Sequence, residues 1–168
     1  LQAYPKEGQE LRDLIYNQYR IDFSLLKRYE SGTSLATRNA SGEVISQLSV
    51  LYPTLIGGSA DLASSCMAKG ADGNYSATNR LGRNINYGVR EHAMGAITNG
   101  LVLHGGMKAF SGGFFVFSDY MKPAMRMAAL MSIPSIFVFS HDSIAVGEDG
   151  PTHEPIEQLT GLRSIPNM

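Results

Sequence analysis

The sequence predicts an α/β protein: an open, doubly wound, mostly parallel sheet flanked by helices. Three observations carry that reading. Short apolar runs alternate along the chain with stretches of helical periodicity, the order that yields parallel strands joined by crossover helices. Paired glycines (Gly57-Gly58, Gly105-Gly106, Gly112-Gly113) each stand at the end of a short apolar segment or just beyond it. Tight strand-to-helix turns, or backbone packed close to a ligand, need glycine there. The run Ser135-Ile136-Phe137-Val138-Phe139 is continuous and β-rich rather than alternating, as expected of a strand covered on both faces.

The elements follow in order. Leu11, Ile15, Tyr19, Phe23 and Leu26 recur at helical spacing and predict a helix over 8–30, stopped by Ser31-Gly32. A second helix is expected from about Ser34, with Val44, Ile45, Leu48 and Leu51 as its apolar side and Pro53 just past its end. Thr54–Ile56 reads as a short strand entering Gly57-Gly58-Ser59. The small, polar stretch 66–83 reads as an irregular loop. Asn84–Gly88 reads as a strand end feeding a helix from about Arg90 to Leu103. Phe110 lies in another short strand, and Phe117–Met131 reads as a helix rich in Met and Ala. A polar loop over 141–154 precedes a last short helix beginning near Pro155. In such sheets the working loops lie beyond the carboxyl ends of the strands, so 57–65, 88–92, 112–120 and 141–153 are expected to converge.

Composition bounds the function. The chain has 168 residues, a length that suits one domain of about 100–200 residues. Its 17% charged residues argue against disorder, and its 43% hydrophobic residues supply a core. With 14 Lys and Arg against 15 Asp and Glu, no electrostatic case exists for a nucleic-acid partner. The single cysteine, Cys66, excludes a disulfide-stapled module. No apolar stretch reaches the roughly 18 residues that span a bilayer, and Leu1–Pro5 show no signal-peptide pattern. A cytoplasmic location without membrane partners is therefore expected. The first residue is Leu, and the expectation is a piece of something longer.

Four segments and one cation carry candidate chemistry. In Gly88-Val89-Arg90-Glu91-His92-Ala93-Met94, Glu91 is either a first-turn carboxylate serving the helix dipole or an acid aimed at a ligand. The helix terminus favours its ionised form and apolar burial its protonated form; spacing leaves both open. Phe114, Phe117 and Tyr120, spaced i, i+3, i+6, are at such spacing more often core than a ring platform, and their place after Gly112-Gly113 weakens the core reading. The loop His141–Glu154 holds His141, His153 and several carboxylates after a strand, where polar loops carry function. The eleven residues between its histidines are not a usual metal spacing, and Cys66 adds no cluster, so no metal ligands are assigned. Gly57-Gly58-Ser59-Ala60-Asp61-Leu62-Ala63-Ser64-Ser65 matches neither a P-loop nor the dinucleotide-binding glycine pattern. Arg38 reads as a surface charge or an anion clamp.

Together these segments resemble the transketolase family, in its middle, pyrimidine-binding domain. The strings that carry the resemblance are Ala36-Thr37-Arg38, Gly57–Ala63, Tyr87–Met94 and the His141–His153 loop ending at Pro155. The resemblance divides the chain into an amino-terminal helical linker, 1–32, and a pyrimidine-binding domain, 33–168, incomplete at its carboxyl end. It implies thiamine diphosphate as cofactor and transfer of a two-carbon ketol unit between sugar phosphates. Glu91 would hydrogen-bond the pyrimidine nitrogen and Phe114, Phe117 and Tyr120 would hold the ring, with Asp61 near the thiazolium side. Arg38, Ser65 and His141 would bind the sugar's phosphate. Asp149 and His153 would contact hydroxyls near the reacting carbons, His153 joining Glu91 in catalysis. Dihydroxyacetone synthase shares these motifs and is the nearest enzymatic alternative; a non-catalytic half-domain acting as an interaction module is the non-enzyme one, and a metal hydrolase is a distant fourth. Ala145 and Glu154 depart from the family's usual glycine and glutamine.

The family's Gly-Asp-Gly…Asn pattern, which binds the diphosphate and Mg2+ or Ca2+, does not occur here. In this family the cofactor lies between two subunits of a homodimer, so this chain is expected to supply half a site. A ketol-transfer assay of the purified 168-residue chain alone is expected to show no turnover.

Overall fold

A computed structural model describes residues 3–16, 18, 21–61 and 63–168. Its centre is four parallel strands: β1 (Leu55–Ser59), β2 (Asn84–Asn86), β3 (Lys108–Phe114) and β4 (Ile136–Ser140), lying side by side in the order β2-β1-β3-β4. Leu55 through Ser59 pair with Lys108 through Gly112, and Phe110 through Phe114 with Ile136 through Ser140. The chain steps outward from β1 to β2, then returns across β1 to reach β3, so the winding reverses between β1 and β3. This is the open, doubly wound parallel sheet that the sequence predicts.

Two apolar cores cover the two faces. On one, Ile45 of α2 (Thr37–Leu51) and Cys66 of α3 (Ala63–Cys66) pack with Leu55, Ala68, Phe110 and Phe114. On the other, Met94 of α4 (Glu91–His104), Met121 and Met125 of α5 (Ser118–Leu130) and Leu162 of α6 (Gln158–Arg163) gather with Tyr87 and Ile165. Phe137 and Phe139 serve this second core while Val138 serves the first, the alternation a strand imposes.

The structure corrects several expectations. The helix expected over 8–30 is α1 (Pro5–Ile15), and Phe23–Leu25 forms a separate 3₁₀ turn. The Asp22 carboxylate accepts the Ser24 backbone N–H at 2.9 Å, a local bond that competes with helix. Phe23 and Leu25 are exposed, so periodicity there has no buried face to serve. Tyr19 lies outside the described residues. Beyond the turn, Lys27 and Tyr29 reach Glu43 of α2 at 2.6 and 2.7 Å, laying this segment along that helix. The glycine pairs 57–58 and 112–113 stand inside β1 and β3, not in turns. A side chain at Gly57 or Gly58 would strike the neighbouring strand, and one at Gly112 would strike Ala68, which is fully buried against the sheet. Only Gly105-Gly106 makes a turn, with φ of +85° and +77°. β4 packs against both cores, as expected of a strand covered on both faces, but it stands at the edge of the sheet, and Ile136 at its start is 44% exposed.

Packing of α4 on α5 depends on Gly95. A methyl there would stand 2.7 Å from Met121 Cγ and 2.9 Å from the Ala124 methyl, whereas one at Gly100 of the same helix meets nothing within 4 Å. Gly95→Leu is therefore expected to destabilise the chain by about 1–3 kcal/mol through overpacking. Gly100→Ala is expected to stabilise it by roughly 0.5–1 kcal/mol through helix propensity. Urea unfolding midpoints of the two variants should move in opposite directions.

Candidate functional site

The winding reversal opens a cleft. After β1 the chain leaves toward α3 on one face, and after β3 it leaves toward α5 on the other, so a crevice forms beyond the carboxyl ends of both strands. The crevice encloses about 520 Å3. Ala60 and Asp61 enter from β1, Val89 and Glu91 from the start of α4, Gly113, Phe114, Phe117 and Tyr120 from the end of β3, and His153 from the last loop. All four segments expected to converge do so.

Its walls are aromatic and stepped. The Phe114 and Phe117 rings lie 6.2 Å apart and 15° from parallel, and Phe117 and Tyr120 lie 6.1 Å apart at 27°. Phe114 is anchored in the first core, while Tyr120 is 64% exposed at the mouth. His153 stands edge-on to Phe117 at 5.2 Å and to Phe114 at 6.2 Å. Against this apolar surface Glu91, the first residue of α4, is half-buried with no hydrogen bond or ion pair to any described residue. The adjacent cation does not serve it: Arg90 Nη1 donates to the Tyr87 carbonyl at 3.0 Å. Asp61 is exposed at the cleft's edge.

A second, polar cleft of about 430 Å3 lies beside β4, lined by Ala36–Arg38 and Ser41 from α2 and its approach, and by Val138–Asp142. Here His141 stacks on Phe114 with centroids 3.6 Å apart, so one aromatic ring is shared by both clefts. Arg38 Nη1 lies 3.1 Å from His141 Nε2, and Ser140 Oγ lies 2.9 Å from His141 Nδ1. A guanidinium only donates, so Nε2 accepts, and the imidazole proton sits on Nδ1 facing Ser140. Burial, and then the Arg38 charge, push the His141 pKa below its ordinary 6.5, with Asp149 opposing. His141 takes this position on a left-handed backbone, φ +55°.

Other expected residues are not drawn in. Ser65 sits on α3, outside the linings of both clefts. Asp149 is exposed and lines neither, although its charge reaches His141. Ser41, one helical turn from Arg38, and Ser140 line the polar cleft without being anticipated by the sequence reading. Their adjacency in sequence to Arg38 and His141 is the signal that could have found them.

The transketolase pyrimidine-binding domain matches residues 33–168. The chain belongs to the transketolase family. Transketolase of Geobacillus stearothermophilus is 55% identical over 170 residues, and that of Halalkalibacterium halodurans 58% over 169, in each case across 99% of this chain and 25% of the relative. The chain thus spans about a quarter of the length of these curated relatives. Among solved structures, Pichia stipitis transketolase in complex with sedoheptulose 7-phosphate superposes with a TM-score of 0.92 at 40% identity, covering 99% of this chain and 26% of that one. Leishmania mexicana transketolase gives the same score and identity, covering 99% and 25%. In this transketolase domain the ring shared by the two clefts places a neutral imidazole beside an arginine.

An NMR titration should find His141 protonating below the ordinary histidine range. Arg38→Ala should raise that pKa only partway, because burial, the larger cause, persists. The folded pKa is depressed, so the associated stability is present above pH 6.5 and is lost as pH falls toward the folded value.

Proposed function

We propose that this chain forms the pyrimidine-facing half of a thiamine diphosphate site in a protein that transfers a two-carbon ketol unit between sugar phosphates. One observation carries the reading: a half-buried carboxyl without an internal partner, Glu91, stands at the edge of a stepped aromatic cleft. That donor set suits an aminopyrimidine, which needs apolar surface for its ring and one carboxyl for its ring nitrogen. Membership of the transketolase family supports the same cofactor.

When bound, thiamine diphosphate supplies the electron sink that lets a carbon–carbon bond beside a carbonyl break and re-form. The chain's own residues orient and protonate. Glu91 holds a proton against the pyrimidine nitrogen, and Arg90, engaged with the Tyr87 carbonyl, does not neutralise it. Phe114, Phe117 and Tyr120 pack the ring and exclude water from it, and Asp61 lies toward the thiazolium side. Arg38 binds the phosphate of the sugar, and His141, paired with it at 3.1 Å, holds the guanidinium in the polar cleft. His153 and Asp149 address hydroxyls near the reacting carbons. Residues 1–32 act as a linker and 33–168 as the pyrimidine-binding domain. The diphosphate and its Mg2+ or Ca2+ are held by groups outside this chain, and the working assembly is a cytoplasmic homodimer. No helix of the described residues is long and apolar enough to cross a membrane.

The test is a graft. This chain replaces the matching quarter of Geobacillus stearothermophilus transketolase, and the hybrid is assayed for ketol transfer between sugar phosphates. Activity is expected, with Glu91→Ala and Glu91→Gln each lowering kcat by roughly 10²–10⁴-fold, since neither side chain delivers the proton. An active hybrid whose rate ignores both substitutions would overturn the role given to Glu91.

A further inference from the structure

The loop 141–157, which carries His153 over the cleft, is fastened at both ends. Its start is held by Arg38 and Ser140 on His141. Its interior is a chain of turns, Gly150 N–H to Gly147 carbonyl at 3.1 Å and His153 N–H to Gly150 carbonyl at 3.0 Å. Its far end holds two buried residues, Pro155 and Gln158. Gln158, 5% exposed, uses both halves of its amide: Oε1 accepts the Ile156 N–H at 2.9 Å, and Nε2 donates to Asp119 Oδ2 at 2.8 Å. Asp119 lies in the first turn of α5, between Phe117 and Tyr120, so this bridge ties the returning loop to the aromatic steps. His153 is three residues upstream of Ile156 and edge-on to Phe117.

We infer that Gln158 and Asp119 are positioning residues, a clamp that sets His153 against the aromatic cleft. The inference rests on the proposed ketol-transfer reading for what His153 then does, but not for the clamp itself. Gln158 is not needed to hold α6 in place, since Leu162 and Ile165 are buried against Met121 and Met125. Donor and acceptor are also assigned without ambiguity. Asp119 accepts, so the Gln158 amide must present its nitrogen to Asp119 and its oxygen to Ile156.

That polarity supplies the test. Hydrogen exchange of the 168-residue chain should show the Ile156 amide opening about two- to tenfold faster in Gln158→Ala, while the α6 amides are unchanged. Gln158→Glu sets two carboxylates against each other and should open the loop likewise. Adding Asp119→Asn to Gln158→Glu restores a donor facing an acceptor, with the introduced carboxylate still accepting from the Ile156 N–H, and should return exchange to its starting rate. In the grafted enzyme the single variants should raise the KM for the sugar donor about tenfold or more. Thiamine diphosphate affinity should stay unchanged, and the double variant should recover the KM. Unchanged Ile156 exchange in Gln158→Ala, no rescue by the double variant, or equal losses of cofactor and sugar affinity would each overturn the clamp. An inactive hybrid built from the unaltered chain would count against the ketol-transfer reading alone, and the exchange arm would still decide the clamp.

Discussion

Parallel pairing of β1 with β3 is the constraint on which the rest of the structure depends. These strands are separated in the chain by β2 and α4, yet they pair over five residues, from Leu55 opposite Lys108 to Ser59 opposite Gly112. Once they are neighbours, right-handed crossovers send their following helices to opposite faces. The two exits part, and the space between them is the cleft. The sheet also needs glycine, because a side chain at Gly57 would strike β3, one at Gly58 would strike β2, and one at Gly112 would strike Ala68. The residues that make the sheet close enough to hold together therefore lie beside those that make the site.

The two clefts are not independent. Phe114 is at once a core residue, a wall of the apolar cleft and the platform under His141. Its register is set by pairing with Ser140, whose hydroxyl in turn faces the His141 ring. A change that moved the end of β3 relative to β4 would shift the stacked imidazole, its arginine partner and the first aromatic step together. Ring stacking joins the phosphate-side and ring-side functions proposed for the chain.

The sheet-and-helix order is legible in the sequence because α4, α5 and the strands bury the residues whose spacing announces them. Spacing misleads where no burial stands behind it. Phe23 and Leu26 fit a helical repeat but pack on no core, and Asp22 turns the chain there. The glycine pairs at 57 and 112 read as turns because glycine is poor in strands, yet here close backbone approach outweighs propensity. The convergence of Glu91, the three aromatic residues, Asp61 and His153 is legible because each follows a strand or opens a helix at the same end of the sheet. Ser65 and Asp149 are not separable from the others by sequence, since adjacency to a motif does not say which way a side chain is carried. The Gln158–Asp119 bridge is invisible there: its partners lie 39 residues apart, and Gln158 belongs to no motif.

β4 has a further consequence. Among the described residues its outer side is paired to nothing, and its run Ile136-Phe137-Val138-Phe139 is uncharged, β-branched and aromatic. Such an edge templates cross-β stacking, and this strand has none of the lysines, prolines or bulges with which sheets usually guard an open border. The strand that delivers His141 to the polar cleft is thus also the one whose outer backbone groups are left for a further strand or segment to pair.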